Sequence, residues 1–117
     1  MGIEVLLGQT LSKIIIEDPG RSILFETVDG SKYRMFHQQD CCESVLLEDI
    51  IGDVQDLIGS PILEAEETTD GGWDDEHESY TWTFYKLGTI KGHVNIRWFG
   101  SSNGYYSESV DFEKVEK

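Results

Sequence analysis

The run His37-x-x-Asp40-Cys41-Cys42-Glu43 gathers imidazole, thiol and carboxylate groups within seven residues. These are metal-ligand types, and a thiol near an imidazole is also the material of nucleophilic catalysis. A zinc site ordinarily takes four ligands as two spaced pairs, and no second pair follows, since His77 and His93 lie far along the chain. A reactive thiol needs a cation or a helix N-terminus to lower its pKa, whereas Asp40 and Glu43 act in the opposite sense. The simpler expectation is one core cysteine, one half-exposed cysteine, and Asp40 capping the connection to the next strand. Adjacent cysteines rarely close on each other and point to opposite faces of a strand, so no disulfide scaffold is expected and a reducing compartment follows.

Carboxylates are too abundant for any single pair to stand out: 23 acids against 9 Lys and Arg give a formal net charge of −14. Their densest run is Glu64, Glu66, Glu67, Asp70, Asp74, Asp75, Glu76 and Glu78, with Gly71-Gly72 and Trp73 inside it and no Lys or Arg. Like charges so close repel, which predicts an exposed, mobile hairpin loop over 68–78. Trp73 in such a loop either packs down or contacts a partner. A field of this sign opposes direct binding of nucleic acid or anionic lipid and leaves a basic protein surface as the natural counterpart.

Aromatic residues offer a second chemistry. Most are expected in the core, but Trp82, Trp98, Tyr105 and Tyr106 with Glu108 could line a pocket for a small ligand such as a nucleotide signal. The ordinary reading of Glu108 is a cross-strand pair with Arg97. No Gly-rich phosphate loop, His-Glu-x-x-His word or nucleophile elbow is present, so no cofactor is called for and the balance is against an enzyme.

The elements that must position these groups are mostly strands. A chain of 117 residues fits one domain over 1–117, and five Phe, five Tyr and three Trp supply a core. Segments 12–17, 22–28 and 32–37 read as a meander turned by Asp18-Pro19-Gly20 and Asp29-Gly30. A fourth apolar stretch covers 44–50. Asp53 caps a short helix near 53–58 that Gly59 ends, and 61–68, opened by Pro61, reads as an edge strand. Segments 79–87 and 93–99 alternate clearly, and Asn103-Gly104 predicts a hairpin into 106–115, with 113–117 fraying. Leu6, Leu7 and Leu11 are candidate plugs for the core. The sum is an α+β domain, predominantly antiparallel β sheet, with about seven or eight strands and one short helix. No leader and no apolar run long enough to span a membrane is read in the sequence, which predicts a cytoplasmic protein.

Several words of the sequence carry a resemblance: His37-Gln38-Gln39-Asp40-Cys41-Cys42-Glu43, Glu48-Asp49-Ile50, Asp56-Leu57-Ile58-Gly59-Ser60-Pro61-Ile62, Glu78-Ser79-Tyr80-Thr81-Trp82-Thr83-Phe84-Tyr85-Lys86, Ile96-Arg97-Trp98 and Ser102-Asn103-Gly104-Tyr105-Tyr106-Ser107-Glu108. Together they resemble a small protein family encoded mainly by bacteriophages and prophages, over most of the chain after residue 30. The resemblance implies a viral or prophage accessory protein in the host cytoplasm and carries no catalytic assignment.

Three functions are therefore expected, in descending order. The first is a non-catalytic accessory protein that binds, and inhibits, a host nucleic-acid-handling or defence protein through its acidic surface. The second is a small-ligand binder or sequestering protein, and the third a metal or thiol enzyme. Exposed strand edges could also pair into a homodimer, which the scattered acids oppose.

Overall fold

Alternation along residues 92–102 sets the architecture. Val94, Ile96, Trp98, Gly100 and Ser102 are buried while the residues between them face outward, the pattern of a strand in a sheet with one covered face. The computed structural model describes residues 2–17, 20–76 and 78–115. Within them the chain forms two antiparallel sheets of four strands. The first holds β1 (Leu11–Glu17), β2 (Ser22–Thr27), β3 (Lys32–Phe36) and β8 (Asp111–Val115), in the order β1-β2-β3-β8. The second holds β4 (Ser44–Ile51), β5 (Glu64–Asp74), β6 (Glu78–Thr89) and β7 (Gly92–Ser102), in the order β4-β7-β6-β5.

Helical structure among the described residues is limited to two 3-10 turns, Ile3–Leu6 and Val54–Leu57. The second is the short helix expected near 53–58: the Gln55 N–H donates to the Asp53 side chain at 2.9 Å, satisfying one otherwise orphaned donor. The fold is thus α+β and dominated by antiparallel sheet, as the strand and turn signals require.

Both sheets contribute to one core. Ile23, Phe25, Tyr33, Met35 and Phe112 come from the first, and Tyr85, Leu87, Val94, Ile96 and Trp98 from the second. The Trp98 Nε1–H donates to Met35 Sδ at 3.2 Å, and Tyr33 stacks on Phe112 with centroids 5.6 Å apart. Leu6 and Leu11 are fully buried plugs, whereas Leu7 is exposed.

The expected meander forms, with Gly30 at φ 91° in its second turn. Asp18 and Pro19 of the first turn lie outside the described residues. Two expectations are corrected. Asn103-Gly104 does not turn a hairpin: the Tyr105 N–H is held by Asn103 Oδ1 at 3.0 Å, and the chain then crosses to the first sheet. There β8 pairs with β3, setting Phe112 beside Met35. The reason is a tertiary anchor, since Glu108 is drawn inward to Ser102 and Thr81 and redirects the chain. Residues 113–115 are consequently strand, and 116–117 lie outside the described residues.

The acidic run is the second correction. Residues 64–74 are strand, paired with β6 from Glu64↔Gly88 to Asp74↔Glu78. Repulsion is relieved because Lys86, Tyr85 and Trp82 stand opposite Glu66, Glu67 and Asp70. The edge strand expected over 61–68 is found from Glu64 onward, as the start of β5 at the sheet's edge.

Candidate functional site

Strand alternation divides the acids of β5. Glu64, Glu66, Asp70 and Asp74 share one face, and Glu67 and Trp73 share the other. Glu64 is occupied, with Oε2 at 2.9 Å from His93 Nε2 and Oε1 at 3.4 Å from Lys86 Nζ. Glu66, Asp70 and, at the hairpin tip, Asp75 and Glu76 are exposed and form no ion pair with a described residue. Trp73 is 65% exposed and lies against Gly104.

Beside these acids, β6 and β7 present aromatic groups outward. Tyr80, Trp82, Phe84 and Phe99 are half-buried on the outer face rather than in the core, with Trp82 and Phe99 centroids 4.6 Å apart. Arg97 lies over the Trp82 ring at 5.6 Å and reaches Asp49 at 3.6 Å. Trp98, by contrast, is fully buried on the opposite face. Trp82 and Trp98 therefore cannot share a pocket, and the expected grouping of Trp82, Trp98, Tyr105, Tyr106 and Glu108 does not assemble. Tyr105 is exposed and Tyr106 half-buried.

Glu108 is buried, but not against Arg97. Its Oε2 accepts from Ser102 Oγ at 2.6 Å and its Oε1 from Thr81 Oγ1 at 2.7 Å. Gly100 makes room for it: a Cβ there would meet the Glu108 carbonyl oxygen at 2.9 Å.

The 37–43 cluster closes on itself. His37 Nε2 lies 2.9 Å from Glu43 Oε2, and His37 Nδ1 lies 2.7 Å from the Ser109 carbonyl oxygen. Glu43 also accepts from the backbone N–H of Asp40 at 3.0 Å and of Cys41 at 2.9 Å, and from Gln39 Nε2 at 3.2 Å. Burial alone would raise the Glu43 pKa, but the bonds from His37 and from the backbone amides of Cys41, Glu43 and Asp40 hold it down at about 2. Glu43, rather than Asp40, thus caps this connection. Cys41 and Cys42 are both exposed, and their sulfurs are joined as a vicinal disulfide. That corrects the expectation of an unpaired couple with one buried member: the two residues sit on a bend, not on a strand that would send them to opposite faces. Among the described residues no group of three or more His, Cys, Asp or Glu is placed to hold a metal ion, so His37, Asp40, Cys41, Cys42 and Glu43 do not form a metal centre.

Two of the clefts on the described surface bear on function. One of about 430 Å³ is lined by Arg21, Arg34, His37, Gln39, Phe36 and Glu17, among others; Arg34 Nε donates to Glu17 Oε1 at 3.0 Å. The other, about 360 Å³, lies along the seam between the edge strands β5 and β8 and is lined by Gly2, Glu67, Val110, Asp111, Phe112 and Glu113. Tyr85 adjoins this seam from the core, its buried side chain standing opposite Glu67 of β5. Burial first, then the Glu67 carboxylate through its charge and a hydrogen bond, and last the Asp111 charge, push its pKa well above the ordinary phenol range. Tyr85, Asp111 and Glu113 were missed as site residues. Alternation about Phe112 does put Asp111 and Glu113 on one face, but nothing in one dimension brings Glu67 to them.

A family model described as a domain of unknown function (DUF7448) matches residues 4–112. The chain belongs to the DUF7448 family. The DUF7448 match runs from the first 3-10 turn to Phe112, so it takes in β1 to β7 and the start of β8, while Gly2 and Glu113 of the cleft between β5 and β8 lie outside it. No curated protein and no solved structure matches the chain.

Proposed function

We propose that this DUF7448 protein is a non-catalytic binding module whose β5–β6 hairpin docks on a basic surface of another protein. The observation that carries this reading is the set Glu66, Asp70, Asp75 and Glu76, exposed on one edge strand and its tip without ion pairs to described residues. Carboxylates held along a strand and tied to no local cation present a fixed anionic array, which steers a basic partner and favours its docking. Trp73 at the tip adds an exposed aromatic anchor of the kind that dominates interface energetics. Read with the resemblance to bacteriophage and prophage proteins, the partner is a host nucleic-acid-handling or defence protein, and the effect of binding is inhibition.

The test is affinity capture from bacterial lysate at low salt with the wild-type chain and with Glu66→Gln/Asp70→Asn/Asp75→Asn/Glu76→Gln. The wild type should retain a basic protein whose binding falls steeply with salt, and the variant should lose it. Equal retention by the two proteins would sink the proposal.

A second reading, binding of a small anionic ligand, is favoured by one observation. Two of the chain's three arginines, Arg21 and Arg34, line the same cleft in an otherwise acidic protein. Native mass spectrometry of the purified protein would reveal such a ligand.

A further inference from the structure

The outer face of the second sheet carries a continuous aromatic layer that stays half-open to solvent. By ring centroid, Tyr80 lies 6.2 Å from Phe99, Phe99 lies 4.6 Å from Trp82, and Trp82 lies 6.2 Å from Phe84. All four are half-buried, although the same strands bury Tyr85 and Trp98 completely on the other face. Single exposed rings need no explanation, but a contiguous apolar strip marks an interaction surface. The ion pairs on this face leave one of its sides anionic. Arg97 lies over the Trp82 ring at 5.6 Å and reaches Asp49 of β4 at 3.6 Å, while Lys86 is 3.4 Å from Glu64. On the β5 side Asp70 stands opposite Trp82 and Glu66 opposite Lys86. Neither of these two carboxylates forms an ion pair with a described residue.

We propose that this face binds an arginine-bearing segment of the partner protein, a step that rests on the docking reading above. A guanidinium stacks on the Trp82 and Phe84 rings and turns its donors to Asp70 and Glu66, extending the interface from the hairpin across β6. The chain already holds one such arrangement, since Arg97 over Trp82 with Asp49 at its end joins ring, guanidinium and carboxylate. On the β5 side the same aromatic layer supplies the ring, Asp70 supplies the carboxylate, and the partner brings the guanidinium. Arginine suits the place better than lysine, because its planar, weakly hydrated head stacks on rings while its donors reach carboxylates. A second copy of this chain would set two molecules of net charge −14 face to face. A single-stranded nucleic acid would bring phosphates to Asp70 and Glu66 along with its bases. A basic protein segment satisfies both the rings and the acids.

Titration of the ¹⁵N-labelled full chain with an acetylated, amidated Gly-Arg-Gly-Arg-Gly peptide tests this, with the citrulline version as its neutral, shape-matched control. Saturable shifts are expected at the Trp82 indole N–H and at the Asp70 and Phe84 amides with the arginine peptide and not with citrulline. The Trp98 indole N–H, buried on the covered face, should stay in place. Trp82→Leu and Asp70→Asn should each weaken binding about threefold to fivefold, the scale of one exposed cation–π contact or ion pair. Asp70 is exposed, so Asp70→Asn separates lost binding from lost folding. Glu113→Gln, on the first sheet, should leave binding intact. Equal binding of the citrulline peptide, shifts spread over the acids of both sheets, or undiminished binding by Asp70→Asn would each overturn the proposal. So would tighter binding of an oligothymidine, or the same ring shifts on concentrating the chain alone. Partner capture keeps the two ideas distinct. If Trp82→Leu retains the basic partner and the hairpin variant loses it, docking stands and this face falls; if the wild type captures no basic protein, docking itself falls, and the face with it.

Discussion

The Glu43 carboxylate meets the His37 imidazole at 2.9 Å with both side chains almost wholly buried. Because the backbone amides of Asp40 and Cys41 converge on the same carboxylate, the charged form of Glu43 is preferred in the folded chain, with a pKa of about 2 against a usual 4.5. A depressed folded pKa gives a stabilisation that is complete above about pH 4.5 and is lost as the pH falls toward 2. Thermal unfolding followed across that window should show Tm falling steadily in the wild type. Glu43→Gln should lower Tm at neutral pH and flatten the acid limb, since no titrating group remains at that position. An acid limb of unchanged slope in the variant would show that Glu43 is not the group responsible.

Glycine is needed at position 100 far more than at position 72. A Cβ at Gly100 would sit 2.9 Å from the Glu108 carbonyl oxygen and 3.0 Å from Val45 Cγ2, so strand or loop must move. A Cβ at Gly72 would sit 2.7 Å from the Tyr80 hydroxyl, the far end of a side chain that can swing aside. Gly100→Ala should cost about 1–3 kcal/mol, the range for overpacking a close-fitted site, and Gly72→Ala much less. Urea denaturation of both variants measures the contrast, and equal costs would contradict it.

Much of this fold was legible along the chain because its signals are local. Asp29-Gly30 turns the meander, and Val94, Ile96 and Trp98 alternate onto the buried face, as their spacing predicts. The errors came where a distant contact outweighs the local signal. Asn103-Gly104 has hairpin chemistry, yet the buried bonds of Glu108 to Ser102 and Thr81 send the chain to the other sheet. The charge density around 68–78 predicts a loop, but a paired strand tolerates it through Asp74 when its neighbours across the sheet include Lys86, Tyr85 and Trp82. The face of β6 that is richest in aromatics turned out to be the outer one, because Thr83, Tyr85 and Leu87 fill the inner side. Alternation shows which residues share a face; it does not say which face is covered.

That last ambiguity makes the two central tryptophans a sharp comparison. Trp98 is fully buried and donates to Met35 Sδ, whereas Trp82 is half-exposed beneath the Arg97 guanidinium. Trp98→Ala should cost about 3–5 kcal/mol through the cavity it leaves. Trp82→Ala should cost about 1 kcal/mol, mainly through the cation–π contact and the Phe99 ring. Chemical denaturation curves for the two variants decide the matter. A larger loss at Trp82 would mean that the covered and open faces of this sheet are reversed.

The bonds of Glu108 should govern the crossing to β8. Both of its carboxylate oxygens are satisfied by hydroxyls, Thr81 Oγ1 on β6 and Ser102 Oγ at the end of β7. Ser102 Oγ also accepts from the Gly104 N–H at 3.0 Å and lies 3.3 Å from the Tyr106 carbonyl oxygen, so one small side chain fastens the loop by donating as well as by accepting. Ser102→Ala removes both and leaves one buried oxygen short of a donor, a loss of about 1–3 kcal/mol. Thr81→Val strips the other oxygen at similar cost. The two changes should not add, because they act on the same carboxylate. Amide exchange should accelerate first at Gly104 and then along β8, whose pairing to β3 depends on where the loop is released. If Ser102→Ala loosened residues 103–107 while β8 kept its protection, the strand's register would be set by Phe112 packing on Tyr33 and Phe25 instead.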